Sequence, residues 1–389
     1  MGSPSITRLT VPAAVATSSL PLLVGYYGEH NLGDDALLEV LLSQLPPACV
    51  ATVTARDQRQ VAERFGVACV DRTSLRAVLQ ALTAATALVL GGGSLLQDST
   101  SFRSLLYYAA LMLAARLQGK PVVLWAQGLG PLRRRRSRLL VRLLLGCSTA
   151  CSWRDPGSAD LARRLGWRDP QPQSGRSSVG TDPVWAMPPQ PWRGRGGPIV
   201  LCFRPTAQLQ GEAWRPWLSA LEQLAPEREL HWLPLHAGQD QGLLERLRQQ
   251  GLLSEALAHR SRELRPSHPA ALMEACASSG LVLAMRLHGL ILAALAGAPV
   301  VALSYDPKVR AAADALGCAV HDLAEPAEPA VLLSQWRQAL DSPASADRLL
   351  ALRAGTAVHR QLLHCALGRA LGRTVSGFRR DRPEADAAE

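Results

Sequence analysis

The chain has 389 residues, 48% hydrophobic and 19% charged, which suits a globular protein with sizeable cores and is long enough for two domains. Its 42 Lys and Arg against 32 Asp and Glu give a formal charge of +10, which favours phosphorylated small molecules, acidic lipid or nucleic acid as partners. Neither zinc-finger spacing nor an RNA-recognition signature accompanies that charge, so no specific nucleic acid is expected, and no apolar run reaches the ~20 residues that span a bilayer.

In chain order, residues 1–19 include VPAAVATSS, a modest small-residue stretch with Arg8 as the sole early charge. They read as a disordered extension rather than a signal peptide. PLLVGYYGEHNLGDDALLEVLLSQL (21–45) reads as a buried strand, a Gly-containing loop and an amphipathic helix. Strand-like runs follow at 48–54 and 68–71. TALVLGGGSLLQD (86–98) is a strand that ends in three glycines, and a helix is expected over Phe102–Gln118. PVVLWAQGLGP (121–131) supplies the next strand and loop. RRRRSRLLVRLLLGC (133–147) then makes a basic amphipathic helix, and ACSWRDPGSADLARRLG a strand end with another helix. Such alternation indicates a parallel sheet flanked by helices.

Residues 168–196 turn polar and rich in Pro, Gly and Ser, which predicts a linker with GTDPVW as a short ordered element. The pattern restarts at GPIVLCFRP (197–205) and closes with LAMRLHGLILAALAGAPVVAL (283–303), read as strand, helix, strand. The predicted organisation is α/β: two Rossmann-like domains, 20–167 and 197–329, facing a cleft. Helices follow over 330–373 and a charged, frayed tail over 374–389. Ligands in such folds lie beyond the carboxyl ends of the strands. Eight cysteines are scattered without a C-x-x-C pair. They read as buried free thiols, and no metal centre is expected.

Six segments place chemistry at strand ends. In AMRLHG, Arg286 offers a fork for carboxylate or phosphate, His288 a titratable imidazole, and the following helix start an anion-attracting dipole; an ion pair and a helix cap are the structural alternatives. In LGGGSLLQD, Gly91, Gly92 and Gly93 permit close backbone approach by a ligand, or simply a tight turn. Asp98 there is a sugar-hydroxyl acceptor or a cap. In GYYGEHNLGDDALL, Asn31 and Gly33 shape the loop; one of Asp34 and Asp35 caps the helix and the other is free to meet substrate. SWRDPGS places Arg154 beside Asp155, and LCFRP with LPLHAGQD adds Arg204, His236 and Asp240. The run RRRRSR (133–138) reads either as a solvated face or as a dock on anionic lipid.

Together these stretches resemble the polysaccharide pyruvyl transferase family, in particular its cell-wall and cyanobacterial-type branch. The matching pieces are GYYGEHNLGDDALL, LVLGGGSLLQD, LWAQGLGPL, SWRDPGSADL, TDPVWA, FRP, LPLHAGQD and MRLHGLILAALAGAPVVALSYDPKV, in family order over roughly residues 22–320. The resemblance implies a glycosyltransferase-B-like fold, with the acceptor on the N-terminal side and phosphoenolpyruvate on the C-terminal side. It implies transfer of pyruvate onto two hydroxyls of a sugar in an envelope polysaccharide or its lipid-linked precursor, releasing phosphate. Phosphoenolpyruvate is then a co-substrate, with no further cofactor. Arg286 and His288 take the family's phosphoenolpyruvate-binding and catalytic positions, and Arg154 that of the arginine in its V-R-D-x-x-S element. Trp153 departs from that element's first position, and Asp35 stands where relatives often have Glu. A cytoplasmic location, peripheral to the inner face of the plasma membrane, accompanies this expectation. A nucleotide-sugar glycosyltransferase of the same fold, or a non-catalytic binder of lipid or nucleic acid, is the alternative.

Overall fold

A computed structural model describes residues 20–47, 49–99, 101–168 and 178–380, with side chains up to residue 368. The expected extension over 1–19, part of the 168–196 linker and residues 381–389 lie outside the described residues. Twelve strands fall into two parallel sheets of six. The first holds β1 (Pro21–Tyr27), β2 (Thr52–Ala55), β3 (Ala68–Asp71), β4 (Ala87–Leu90), β5 (Val122–Gln127) and β6 (Ala150–Trp153) in the order 3-2-1-4-5-6. The second holds β7 (Ile199–Cys202), β8 (Leu230–Trp232), β9 (Ser261–Glu263), β10 (Leu281–Ala284), β11 (Val300–Ser304) and β12 (Val320–Asp322) in the order 12-11-10-7-8-9. Counted within its own half, the second order is the first repeated. Both are doubly wound sheets with a topological switch point, between β1 and β4 and between β7 and β10.

The strand sequences explain this burial. ALVL of β4, IVLC of β7 and LVLA of β10 are buried at every residue, as expected where helices cover both faces of a parallel sheet. Each Leu or Val so placed contributes about 1.5–3 kcal/mol of transfer free energy.

Several local expectations change. Helix Leu32–Ser43 is capped by Asn31, whose side chain accepts from Gly33 N–H, not by either aspartate. The glycines after β4 lead into a loop, while the helix expected over Phe102–Gln118 runs from Phe102 to Leu117. Helix Leu287–Leu295 starts shortly after β10, with Arg286 as its N-cap residue. The C-terminal helix Ala357–Arg380 runs into the stretch predicted as a tail. It packs back on β5 and β6 of the first sheet. Of the cysteines expected to be buried, Cys151, Cys202 and Cys276 are, Cys49, Cys69, Cys147 and Cys318 are half-buried, and Cys365 is exposed.

The halves are stitched together across the cleft. Asn31 and His236 form an antiparallel bridge, Leu32 N–H donates to Leu235 C=O at 2.9 Å, and Ala237 N–H to His30 C=O at 3.0 Å. The loops after β1 and β8, one from each sheet, thus pair as a short ribbon.

Candidate active site

Beyond β1, the Asn31 cap does two things. Its oxygen holds the helix start, and its amide Nδ2 donates to Asp34 Oδ2. The two acids then diverge. Asp35 is buried and tied to Arg64 at 2.9 Å. Asp34 turns into the cleft, where it feels the charges of His288 and Arg286. Gly33 is required between them. A Cβ there would lie 2.2 Å from His288 Nδ1, so any larger residue displaces the imidazole.

Asp34 is pushed up to about 6, chiefly by burial, against the opposing pull of His288. Its ionised form therefore destabilises the folded chain at neutral pH, and stability rises as pH falls from about 6 towards the unfolded value near 4. Asp34→Asn is expected to stabilise the fold at pH 7.5 by about 2 kcal/mol, with most of that gain gone at pH 4.5. Urea denaturation of both proteins at the two pH values checks this.

The central junction is Asp182, which lies in the segment predicted as a linker. It opens a 3-10 turn over Pro183–Ala186, accepting from Val184 N–H at 3.1 Å. Its other oxygen lies 3.4 Å from Arg154 Nη1 and 3.6 Å from His288 Nε2. Arg154 reaches it from the end of β6 and also donates to Ser94 Oγ at 2.8 Å, with Asp155 at 3.7 Å from its Nε. Gly128 leaves room for that guanidinium, since a Cβ would come within 2.5 Å of Nη2. Burial alone would raise Asp182, but His288 and Arg154 outweigh it and hold the carboxyl at about 2. His288 Nε2 is buried without a hydrogen-bond partner.

The turn bearing Asp182 is braced from behind by His359 of the C-terminal helix. One ring nitrogen of His359 meets Thr181 C=O at 2.7 Å and the other Ser152 Oγ at 2.9 Å. Burial lowers His359 to about 4, so the ring is neutral near pH 7. Nε2–H donates to the carbonyl, and Nδ1 accepts from the serine hydroxyl.

The C-terminal half contributes a cationic cluster. Arg286 grips Asp240 with Nε at 3.0 Å and Nη2, and Nη2 also reaches Gln239 Oε1 at 3.1 Å. Arg204 donates to the same Gln239 oxygen at 3.3 Å and to Tyr305 Oη at 2.9 Å. Two guanidinium groups thus converge on one neutral amide oxygen that an anion can replace. Asp240 is fully occupied, since it also accepts from Leu235 and His236 N–H. It orients Arg286 and does not face a substrate. His236 is depressed by burial, then by Arg286. Its Nδ1 accepts from Gly238 N–H at 3.1 Å, leaving a buried Nε2 without a partner.

Other predicted contacts resolve as structure. Asp98 accepts from Arg133 N–H at 2.8 Å and Arg134 N–H at 2.9 Å, holding the entry to helix Arg135–Cys147. Each oxygen accepts one of these N–H groups, which is the capping role offered from sequence beside the sugar-acceptor one. Gly91 and Gly92 serve packing: a Cβ would clash with Tyr27 Oη at 1.8 Å and Leu37 Cδ2 at 2.9 Å. Of the three glycines only Gly93 has a positive φ, +104°. Asp182, Gln239 and Tyr305 were not singled out from sequence, although each lies in a quoted stretch. The Asp-Pro opening a turn in GTDPVW was the available signal for Asp182. Among the described residues no cluster of His, Cys, Asp and Glu could hold a metal ion.

Solved structures similar to this chain include two UDP-GlcNAc 2-epimerases and Anabaena HepE. The UDP-GlcNAc 2-epimerase of Methanocaldococcus jannaschii matches with a TM-score of 0.57 at 10% identity, covering 89% of this chain and 99% of that one. The Neisseria meningitidis UDP-GlcNAc 2-epimerase, bound to UDP-GlcNAc, matches at 0.51 and 14%, covering 93% and 100%. Anabaena HepE, in complex with UDP and glucose, matches at 0.51 and 14%, covering 92% and 100%. These likenesses establish the glycosyltransferase-B-like fold. No curated protein matches the sequence significantly. The profile of the polysaccharide pyruvyl transferase family matches residues 31–307. That span begins at the capping Asn31 and closes just beyond Tyr305, enclosing Arg154, Asp182, Arg204, Arg286 and His288. The chain belongs to the polysaccharide pyruvyl transferase family.

Proposed function

We propose that the protein transfers pyruvate from phosphoenolpyruvate onto two hydroxyls of one sugar in an envelope polysaccharide or its precursor, forming a cyclic ketal. The observation that carries this is the unpartnered Nε2 of His288, buried beside Asp182 on the helix turn that begins at Arg286. Phosphoenolpyruvate carries a carboxylate and a phosphate. Arg286 and Arg204, poised on a displaceable amide oxygen, suit one end of it, and the helix start at Leu287 adds N–H donors. Arg154 stays close to the reacting region through Asp182.

His288 delivers a proton to the C3 methylene, leaving C2 electrophilic. The first sugar hydroxyl adds to C2 and loses its proton. The second then displaces phosphate, breaking the C2–O bond, and the products are the ketal and inorganic phosphate. Asp34 is placed to take the proton from a hydroxyl. Guanidinium and backbone N–H groups stabilise the charge on the departing phosphate. The sequence needs phosphoenolpyruvate as co-substrate and no additional cofactor, and a cytoplasmic location would supply that metabolite.

The purified protein with phosphoenolpyruvate and an envelope-polysaccharide acceptor is expected to release phosphate in step with acceptor consumption, without turnover of UDP-sugars. Turnover of a UDP-sugar with phosphoenolpyruvate untouched would instead assign the cleft to glycosyl transfer.

A further inference from the structure

The formal charge of +10 has a single address. From Ser99 to Arg154 the chain carries nine arginines and Lys120 and not one acid. Of the 42 basic residues ten lie here, leaving 32 against the 32 acids of the rest of the chain. Eight of these arginines are exposed: 103, 116, 133, 134, 135, 136, 138 and 142. They lie on and around helices Phe102–Leu117 and Arg135–Cys147, which pack side by side over the first sheet. The neighbouring helix Leu75–Ala84 in the same layer carries no acid either.

Charge alone would mark a solvated face, but the same surface is also apolar. Leu139 and Leu143, four apart on the second helix, are each 61% exposed, and Leu106, Leu113 and Leu117 are exposed on the first. The inward faces of both helices are conventional core, with Leu105, Met112, Val141 and Leu144 buried. Arg136 stacks on the Phe102 ring at 4.2 Å, joining the two helix starts. Exposed leucines interleaved with arginines at helical spacing match a surface that sits in the headgroup layer, with leucines in the acyl boundary and guanidinium groups on lipid phosphates.

We infer that this two-helix face is a peripheral docking surface for an anionic phospholipid bilayer. It extends beyond the proposed reaction and does not depend on it. The face adjoins the cleft. Asp98, which holds the Arg133–Arg134 backbone, follows Ser94 in one loop, and Ser94 bonds Arg154. Docking there would bring the cleft mouth to the lipid surface, where a lipid-linked acceptor would reside. Among the described residues no helix is long and apolar enough to cross a membrane, so contact through this face would be reversible.

The full-length protein is tested by co-sedimentation with vesicles of phosphatidylcholine containing 30% phosphatidylglycerol, against pure phosphatidylcholine. Binding to the anionic vesicles only is expected. At about fivefold per charge near such a surface, the triple variant Arg133→Gln, Arg135→Gln, Arg142→Gln, which removes three charges, should bind about 100-fold more weakly. Leu139→Ser with Leu143→Ser should weaken binding about tenfold and leave the remainder fully removable by salt. Circular dichroism confirms folding, since all five side chains are exposed. Failure of the wild-type protein to bind anionic vesicles, or equal binding by the triple variant, overturns the inference. Unchanged binding by the leucine variant, together with displacement of both proteins by soluble heparin, reassigns the face to a soluble polyanion and overturns it equally.

Discussion

His288→Ala is expected to lower kcat for phosphate release from phosphoenolpyruvate by about 10²–10⁴, the usual contribution of a positioned general acid, with the fold intact. The imidazole's polar contact is the ion pair with Asp182 at 3.6 Å, and Arg154 stays on the same carboxylate at 3.4 Å when the ring is removed. A buried nitrogen left unpaired is a standing cost of about 1–3 kcal/mol, which alanine removes along with the group. Arg204 and Arg286 keep their contacts to Gln239 and Asp240 in the variant, so KM for phosphoenolpyruvate should move far less than kcat. That split separates proton delivery from binding. Undiminished kcat would remove His288 from the chemistry, and a rise in KM alone would make it a binding residue.

Much of this candidate site was legible in the sequence because its charged side chains sit at strand ends, where an apolar run stops. Arg154 follows the ACSW strand directly, Arg204 and Arg286 follow the IVLC and LVLA strands after one intervening residue, and parallel sheets deliver such positions to one edge. What was not legible is which groups are already taken. Asp240 and Asp98 look alike as acids beside glycine- or leucine-rich loops, yet each is consumed, one by Arg286 and two backbone amides, the other by the entry to a distant helix. The glycines at 91 and 92 answer to Tyr27 and Leu37, residues more than fifty positions away. Asp182 was hidden for a third reason. It sits in a polar, Pro-rich segment whose composition predicts a linker, and only tertiary contacts to Arg154 and His288, with His359 behind, give it a role.

Asp182→Asn therefore isolates a charge that composition could not reveal. Asparagine preserves the volume and an oxygen for Val184 N–H, so the turn over Pro183–Ala186 should persist. What disappears is the negative charge between Arg154 and His288. Because the folded carboxyl is held at about 2 against an unfolded value near 4, its stabilisation is fully present above pH ~4 and lost as pH falls through about 2. The difference corresponds to about 2–3 kcal/mol at pH 7, in line with the range for breaking a buried pair. Arg154 retains Asp155 and Ser94, which keeps the loss from being larger. Denaturation of wild type and variant at pH 7 should show that gap, and at pH 3 on the order of half of it should remain. A gap independent of pH would mean that shape, not charge, holds this junction. Activity should fall with stability restored by osmolyte, because Arg154 and His288 would no longer share the counter-charge that places them in one site.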